Sequence, residues 1–524
     1  MSGLRMSVLS LCVFASAQTM AQCGAVYFDG NPGASLSGRV RAIQMWDPDG
    51  PGPTRAAPVV GGQFASAGST TLNNIALWSE SGWLPLGDGL TGGLGQVSAL
   101  AVMPTGELVA AGHFFSAGGV PVESIARWDG SSWSALGGGL TGMGTVTVGG
   151  VRALLVLPTG DLIAGGEFTR ADGQPAQAIA RWDGTQWHPM GAGLTTTMTY
   201  DPAVFALLAH PDGSVYAVGQ FTRSGATVLS HVARWDGQAW SSVGGGTNAF
   251  VTAVAATSSG EILIGGGFTL AGTTNASRIA RWDGAAWHAL GNGLNDAVRG
   301  LCVEPSGNIV ATGFFTHSGS ASRSRVARWN SAAWLQMGTG LSFTGLVIAQ
   351  HPSGELLIGG EFSSAGGAAS AFLTRRSEDQ RPWISVDPSD VEADCGQVAS
   401  MSVAIAPGFG SSQFQWRRDA VAINAADNPS ALSPTLLLSA QSEPGVYDCV
   451  VSTSCGSEIS EAAMLAVNPC CPADFNHDGF VNGDDYDAFA EVFDAANPAA
   501  DFNQDGFVNG DDYDLFAEHF EAGC

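Results

Sequence analysis

The chain has 524 residues, Gly at 72 positions and only 13% charged side chains, a composition that favours tight turns and strands over long solvated helices. Its formal net charge is −26 and it contains no lysine, so general electrostatic attraction to nucleic acid or to an anionic lipid surface is excluded. One core does not extend over this length, and several domains are expected.

Residues 1–21 read as a secretory signal: Arg5 precedes an apolar run over 6–17, and small residues stand at Ala15, Ala17 and Ala21. Cleavage after Ala17 or Ala21 gives a secreted or cell-surface protein. Met20-Ala21-Gln22 before Cys23 is a poor lipobox, and no later run is apolar enough to predict a membrane span. Nine cysteines become eight once Cys12 leaves with the signal, and an even count in an exported chain favours disulfides. Spacing leaves Cys23, Cys302, Cys455 and Cys470 unassigned.

From 24 to 384 one unit recurs. A Gly-x-Phe motif places phenylalanine at Phe64, Phe114, Phe168, Phe221, Phe268, Phe315 and Phe362, at intervals of 50, 54, 53, 47, 47 and 47 residues. Within the third unit, 151–157 alternates as a strand and Pro158-Thr159-Gly160 turns it. The stretch 161–168 is a second strand with Gly165-Gly166, 178–183 a third, and Trp187 opens a fourth. Four short strands per unit at a fixed period predict a propeller of about seven blades, and the absence of helical period rules out a helical solenoid. The diglycine and later tryptophan resemble kelch-type β-propeller repeats, with Arg-Trp-Asp-Gly in the third strand where kelch carries tyrosine. A strand from 25–28 is expected to complete the last blade, and the ring is expected to fold without 385–524.

Arg127, Arg181, Arg234, Arg281 and Arg328 recur at one position of the unit. A residue repeated in every blade answers a need that every blade has, so stacking and carboxylate pairing are expected of them rather than ligand binding. The histidines show neither metal-ligand nor nucleophile–base spacing, and no catalytic residue or organic cofactor site is predicted.

Residues 385–468 carry Trp416, then Tyr447 two positions before Cys449. This resembles the immunoglobulin fold and its tyrosine corner. Cys395–Cys449 is the expected pair, with Cys455 competing.

Residues 470–524 hold a duplicated twelve-residue pattern. Asp474, Asn476, Asp478, Phe480 (through its carbonyl), Asn482 and Asp485 match the EF-hand positions, with Gly479 at the sixth. Asp501, Asn503, Asp505, Phe507, Asn509 and Asp512 repeat it 27 residues later, with Gly506 at the sixth. Hard oxygen donors select calcium, giving two predicted Ca2+ sites. Each loop runs into a short helix with aromatic pairs, Phe489 with Phe493 and Phe516 with Phe520.

The duplication, the Asp at the twelfth position and the single helix per loop resemble a type I dockerin. The Cys471 and Gly523-Cys524 ends resemble the GC-type variant of bacterial exported proteins. The resemblance implies a Cys471–Cys524 clasp, with Cys470 as the competing partner of Cys524, and a cohesin-like or other surface anchoring partner. Gly483-Asp484 and Gly510-Asp511 stand where dockerins carry partner-selecting residues and differ from the usual cellulosomal pairs.

The fold class expected is therefore mainly β: a seven-bladed kelch-like β-propeller, an Ig-like β-sandwich and a small α-helical EF-hand pair. The function expected is an exported multi-domain binding or scaffold protein whose propeller takes a protein or carbohydrate ligand. The alternative is an extracellular polysaccharide-active enzyme, a glycosidase or lyase, with a dockerin tail.

Overall fold

The computed structural model of the chain describes residues 23–50, 52–142, 150–393, 397–439, 444–467, 471–476 and 480–522. The signal segment 1–21 and Cys395, Cys470, Asp478 and Cys524 lie outside the described residues.

The protein is mainly β. Among the described residues the repeat region forms seven four-stranded antiparallel sheets. The third consists of Val151–Val156, Leu162–Gly166, Ile179–Trp182 and Trp187–Pro189, in that order. The innermost strands are Arg39–Trp46, Gln96–Val102, Val151–Val156, Ala203–Ala209, Val251–Ala256, Val298–Val303 and Gly345–Gln350. Each packs beside the next, and the seventh packs against the first, so the sheets close into a propeller-like ring.

The recurring residues are what let neighbouring sheets approach. A Cβ on Gly165 would lie 2.5 Å from Val204 of the next innermost strand, and one on Gly166 would collide with the Gly150 carbonyl. Only glycine admits both contacts. The Gly-x-Phe rings fill the space between sheets, Phe114, Phe221, Phe268, Phe315 and Phe362 being fully buried. Each such ring contributes roughly 1.5–3 kcal/mol. The fourth-strand tryptophans of the second to sixth sheets pin each to the one before: Trp133 Nε1 donates to Leu86 O at 2.8 Å, Trp187 to Leu136 O at 3.1 Å, and Trp334 to Leu290 O at 3.0 Å.

The repeated arginines are carboxylate partners. Each reaches an acid in the connection between the first and second strands: Arg127–Glu107 at 3.3 Å, Arg181–Asp161 at 2.9 Å, Arg234–Asp212 at 3.0 Å, Arg281–Glu261 at 2.6 Å and Arg328–Glu304 at 2.6 Å. The Asp of the following Asp-Gly folds its own turn; Asp183 Oδ1 accepts from the backbone N–H of Thr185 at 2.8 Å and of Gln186 at 2.9 Å. Its Oδ2 pairs with His188 at 2.6 Å, and Asp283 holds His288 at the same distance.

The seventh sheet takes its outer strand from the N-terminus. Val26–Asp29 pairs antiparallel with Leu373–Ser377, where a strand over 25–28 is expected from the sequence. Tyr27 stands there in place of the tryptophan, and its hydroxyl donates to Met337 O at 3.2 Å, the same link to the preceding sheet.

The Ig-like domain packs Trp416, Tyr447 and Cys449, all fully buried, with Leu436, Leu438 and Met401. Here the expected disulfide is corrected: Cys449 is a free, buried thiol, pushed up to about 12 chiefly by burial. The strand that turns its side chains into this core, Val398–Ser402, buries Ala399 and Met401 and carries no cysteine; Cys395 precedes it in sequence. Cys455 instead bonds to Cys23, three residues before the closing strand, with Cα atoms 5.2 Å apart. Cys471 is disulfide-bonded.

Residues of the Ig-like domain also pack into the ring's core, a shared contact not anticipated from the sequence. Trp383 stacks on Trp78 at 4.9 Å, and Ala406 and Phe409 join the cluster around the first and last sheets. Arg375, the seventh counterpart of the repeated arginines, is 1% exposed there, with Glu355 at 3.2 Å. Its guanidinium lies over the rings of Trp383 at 5.1 Å, Phe409 at 5.4 Å and Phe28 at 5.5 Å. Arg55 clamps Asp387 from outside, Nε to Oδ2 at 2.5 Å and Nη2 to Oδ1 at 2.9 Å.

Two measurements follow from this junction. Arg375→Ala leaves the Glu355 carboxylate buried without its cation and should cost about 3–5 kcal/mol in urea unfolding of the full chain; a loss below about 1 kcal/mol would mean the pair is not the anchor. His351 lies 3.8 Å from Trp383 and faces Arg375, and burial lowers its pKa to about 3. The unfolded chain protonates this histidine first, so stability present above pH 6.5 is lost as pH falls towards 3, by up to about 1.4 kcal/mol per pH unit. Glu355, raised by burial, acts in the opposite sense. Comparing wild type with His351→Gln between pH 7 and 4 isolates the histidine, and parallel curves would contradict the assignment.

Candidate functional site

The C-terminal segment builds one loop–helix unit twice. Helix α1 spans Gly483–Asp494 and α2 spans Gly510–Ala522. Asn482 caps α1, accepting from Asp484 N at 2.8 Å, and Asn509 accepts from Asp511 N at 2.8 Å. The helices face each other through Phe489 and Phe516, fully buried and stacked at 4.0 Å with 8° between ring planes. Phe493 and Phe520 pack beside them, and the hydroxyls of Tyr486 and Tyr513 meet at the rim.

The loop carboxylates sit in matching frames. Asp485 is fully buried and accepts from Asn476 N at 3.1 Å and Asn482 N at 2.9 Å. Asp512 repeats this with Asn503 N at 3.1 Å and Asn509 N at 2.8 Å, and these amides hold its carboxyl below the usual carboxylate range. Asp501 accepts from Asp505 N at 3.0 Å and Gly506 N at 2.8 Å. Gly506 has φ +91°, which lets the sixth position turn sharply. Asn503 and Asp505 extend from the same loop, Asn503 Oδ1 accepting from Asp505 N at 2.9 Å. This donor set, with the Phe507 carbonyl and Asn509, fits a hard divalent cation. Among the described residues no three His, Cys, Asp or Glu side chains form a metal-sized cluster, Asp501, Asp505 and Asp512 of the second loop included. Asp474, Asn476, Phe480, Asn482 and Asp485 surround the first loop, whose Asp478 is outside the described residues.

A second site was not anticipated from the sequence. Every innermost strand carries a β-bulge near its start, between Val151 and Ala153 in the third sheet and at equivalent positions elsewhere. The extra residue of each strand, Arg41, Ser98, Arg152, Phe205, Thr252, Arg299 or Leu346, lines one central cavity of about 370 Å³ together with Glu167. Arg152 donates to Glu167 at 3.0 Å, and Glu361 nearby takes Arg39 at 2.7 Å. Arg41 and Arg299 form no ion pair among the described residues, and the buried Nε of each has no hydrogen-bond partner there. Burial, then repulsion from Arg39, Arg152 and Arg299, lowers Arg41 to about 10; burial and Arg152 lower Arg299. The available signal was one variable position inside a Val-x-Ala or Val-x-Gly stretch that recurs in six of the seven sheets.

No family model and no curated protein matches the chain. Among solved structures, one described as a gluconolactonase aligns with 13% identity and a TM-score of 0.31, over 56% of this chain and 91% of its own. The tandem Ig repeats of Dlar align with 17% identity and a TM-score of 0.16, over 23% and 73%. The N-terminal Ig1-2 module of the Drosophila receptor protein tyrosine phosphatase DLAR aligns with 16% identity and a TM-score of 0.16, over 33% and 92%. At these scores the likenesses carry no functional argument, and the architecture rests on the strand pairing itself.

The sixth loop position gives a direct test of the second loop's geometry. Gly506→Val forces a β-branched residue into a left-handed conformation, a cost of about 1–2 kcal/mol. Amide exchange across Gly510–Ala522 in the full chain should quicken roughly 5–30-fold; unchanged exchange would show that the turn does not brace the helix.

Proposed function

We propose that this is an exported binding or scaffold protein. Its seven sheets act as the blades of a kelch-like propeller that presents the recognition surface. The Ig-like domain buttresses that ring, and a dockerin-like module at 470–524 anchors it to a cohesin-like or other surface partner. The observation that carries the reading is the duplication itself: Asp485 and Asp512, 27 residues apart, are both fully buried and accept the same pair of loop amides.

Asp474, Asn476, Asp478, Asn482 and Asp485, with the Phe480 carbonyl, would hold one calcium ion. Asp501, Asn503, Asp505, Asn509 and Asp512, with the Phe507 carbonyl, would hold the other. Bound calcium supplies positive charge to a segment that holds fourteen acidic residues and no arginine. Partner docking is supported by what the module leaves outside. Phe480 and Phe507, at the seventh position of each loop, are each 73% exposed, and Gly483-Asp484 and Gly510-Asp511 are exposed beside them. The non-catalytic reading of the ring is supported by the pairing of Glu167 and Glu361 with arginine, which commits both carboxylates to ion pairs.

Calcium titration of the full chain tests the tail, followed by calorimetry and by amide exchange over α1 and α2. Two bound ions and strong protection of both helices are expected, with protection lost on chelation. Protection that is indifferent to calcium would reject the module's assignment. A polysaccharide-degradation assay separates the binder from the enzyme.

A further inference from the structure

The bulge residue of each innermost strand points into the central cavity whatever its chemistry, since four of the seven sheets place Ser98, Phe205, Thr252 and Leu346 there. Nothing about the bulge therefore requires arginine. Yet Arg41, Arg152 and Arg299 converge on the cavity from the first, third and sixth sheets, against one lining carboxylate, Glu167. In a chain of net charge −26 the cavity is thus locally cationic. The repeated arginines all reach carboxylates, whereas Arg41 and Arg299 each leave a buried Nε without a hydrogen-bond partner among the described residues. A buried donor without a partner is destabilising, and more so when charged. Like charges gathered in a partly dry cavity add repulsion. One bound anion would relieve both costs. Guanidinium groups suit an oxyanion because their donors match its oxygens in pairs.

We propose that the central cavity is an oxyanion site that takes a carboxylate, sulfate or phosphate group, with Arg41 and Arg299 as its donors and Arg152, oriented by Glu167, as the third. Ser98 and Thr252 add hydroxyls to the wall, and Phe205 and Leu346 add apolar surface, which suits an anion borne on a small organic or sugar framework. The site deepens the reading of the ring as the recognition surface and rests on it, but it is independent of the calcium-binding tail.

The test is calorimetric titration of the calcium-loaded full chain with sodium sulfate, inorganic phosphate, glucuronate and, as the neutral control, glucose. At least one of the three anions should bind one to one, and glucose should not bind. Tighter glucuronate binding identifies a sugar acid as the natural form of the group, and tighter sulfate or phosphate binding identifies the inorganic ion or its ester. Arg41→Gln and Arg299→Gln should each weaken binding tenfold or more and together abolish it, while Arg170→Gln, at an exposed position, leaves it unchanged. Both cavity variants should melt close to wild type, because each removes a half-buried cation that forms no ion pair among the described residues. Should either fail to fold, Arg299→Lys keeps the charge and should retain weakened binding. Silence of all three anions on wild type, binding that survives the double variant, or glucose binding as well as glucuronate would overturn the proposal. Loss of calcium binding with anion binding intact would count only against the tail.

Discussion

Everything in this chain depends on how its ring closes. Sheets that pack only face to face would leave the first and last of them with an open side. Here the N-terminal strand Val26–Asp29 completes the sheet of Leu373–Ser377, some 350 residues further along. Closure of that kind delays a large loop-entropy cost until the last contact forms, so the closing strand needs support beyond its ladder. It has three supports: Tyr27 reaches Met337 as the tryptophans do elsewhere, Phe28 lies under Arg375, and Cys23 just ahead of it is bonded to Cys455. The last two recruit the Ig-like domain, which makes that domain a clasp across the seam and not only a spacer.

The repeated and the unrepeated residues of the ring divide its labour. Phenylalanine and tryptophan recur because sheets meet their neighbours in the same way, whereas the arginine–acid pair ties the third strand to the first turn of its own sheet. Most of the arginine pairs are part-exposed, and each adds little to stability alone. At the seam the same pair, Arg375 with Glu355, is buried among aromatic rings that include Phe409 of the Ig-like domain. Chemistry is left to the positions that vary. The bulge residues of the innermost strands face a shared cavity, and they vary among sheets while the flanks are Val and Ala in five of the seven.

Much of this was legible in the residues. The Gly-x-Phe spacing marks the sheets, Trp416 and Tyr447 mark the sandwich core, and the two loop patterns place Asp485 and Asp512 where the structure finds them buried. What was not legible has physical causes. Strand register decides disulfides: Cys395 precedes the strand that faces Cys449, so that core keeps a free thiol, and the bond from Cys455 depends on a docking contact 432 residues away in sequence. The burial of Arg375 arises from the covering domain and not from its own repeat. The cavity arginines were hidden because a single-residue bulge reverses the in-and-out alternation on which strand reading relies.

Closure is tested most directly by native-state hydrogen exchange of the oxidised full chain, comparing amides of Val26–Asp29 with those of Leu356–Gly360 in the same sheet. If the N-terminal strand seals the ring, the two segments open together and their protection is comparable, rising and falling in step with denaturant. Exchange at Val26–Asp29 faster by orders of magnitude, with the inner strand still protected, would show that the ring holds without its closing strand and would contradict the account.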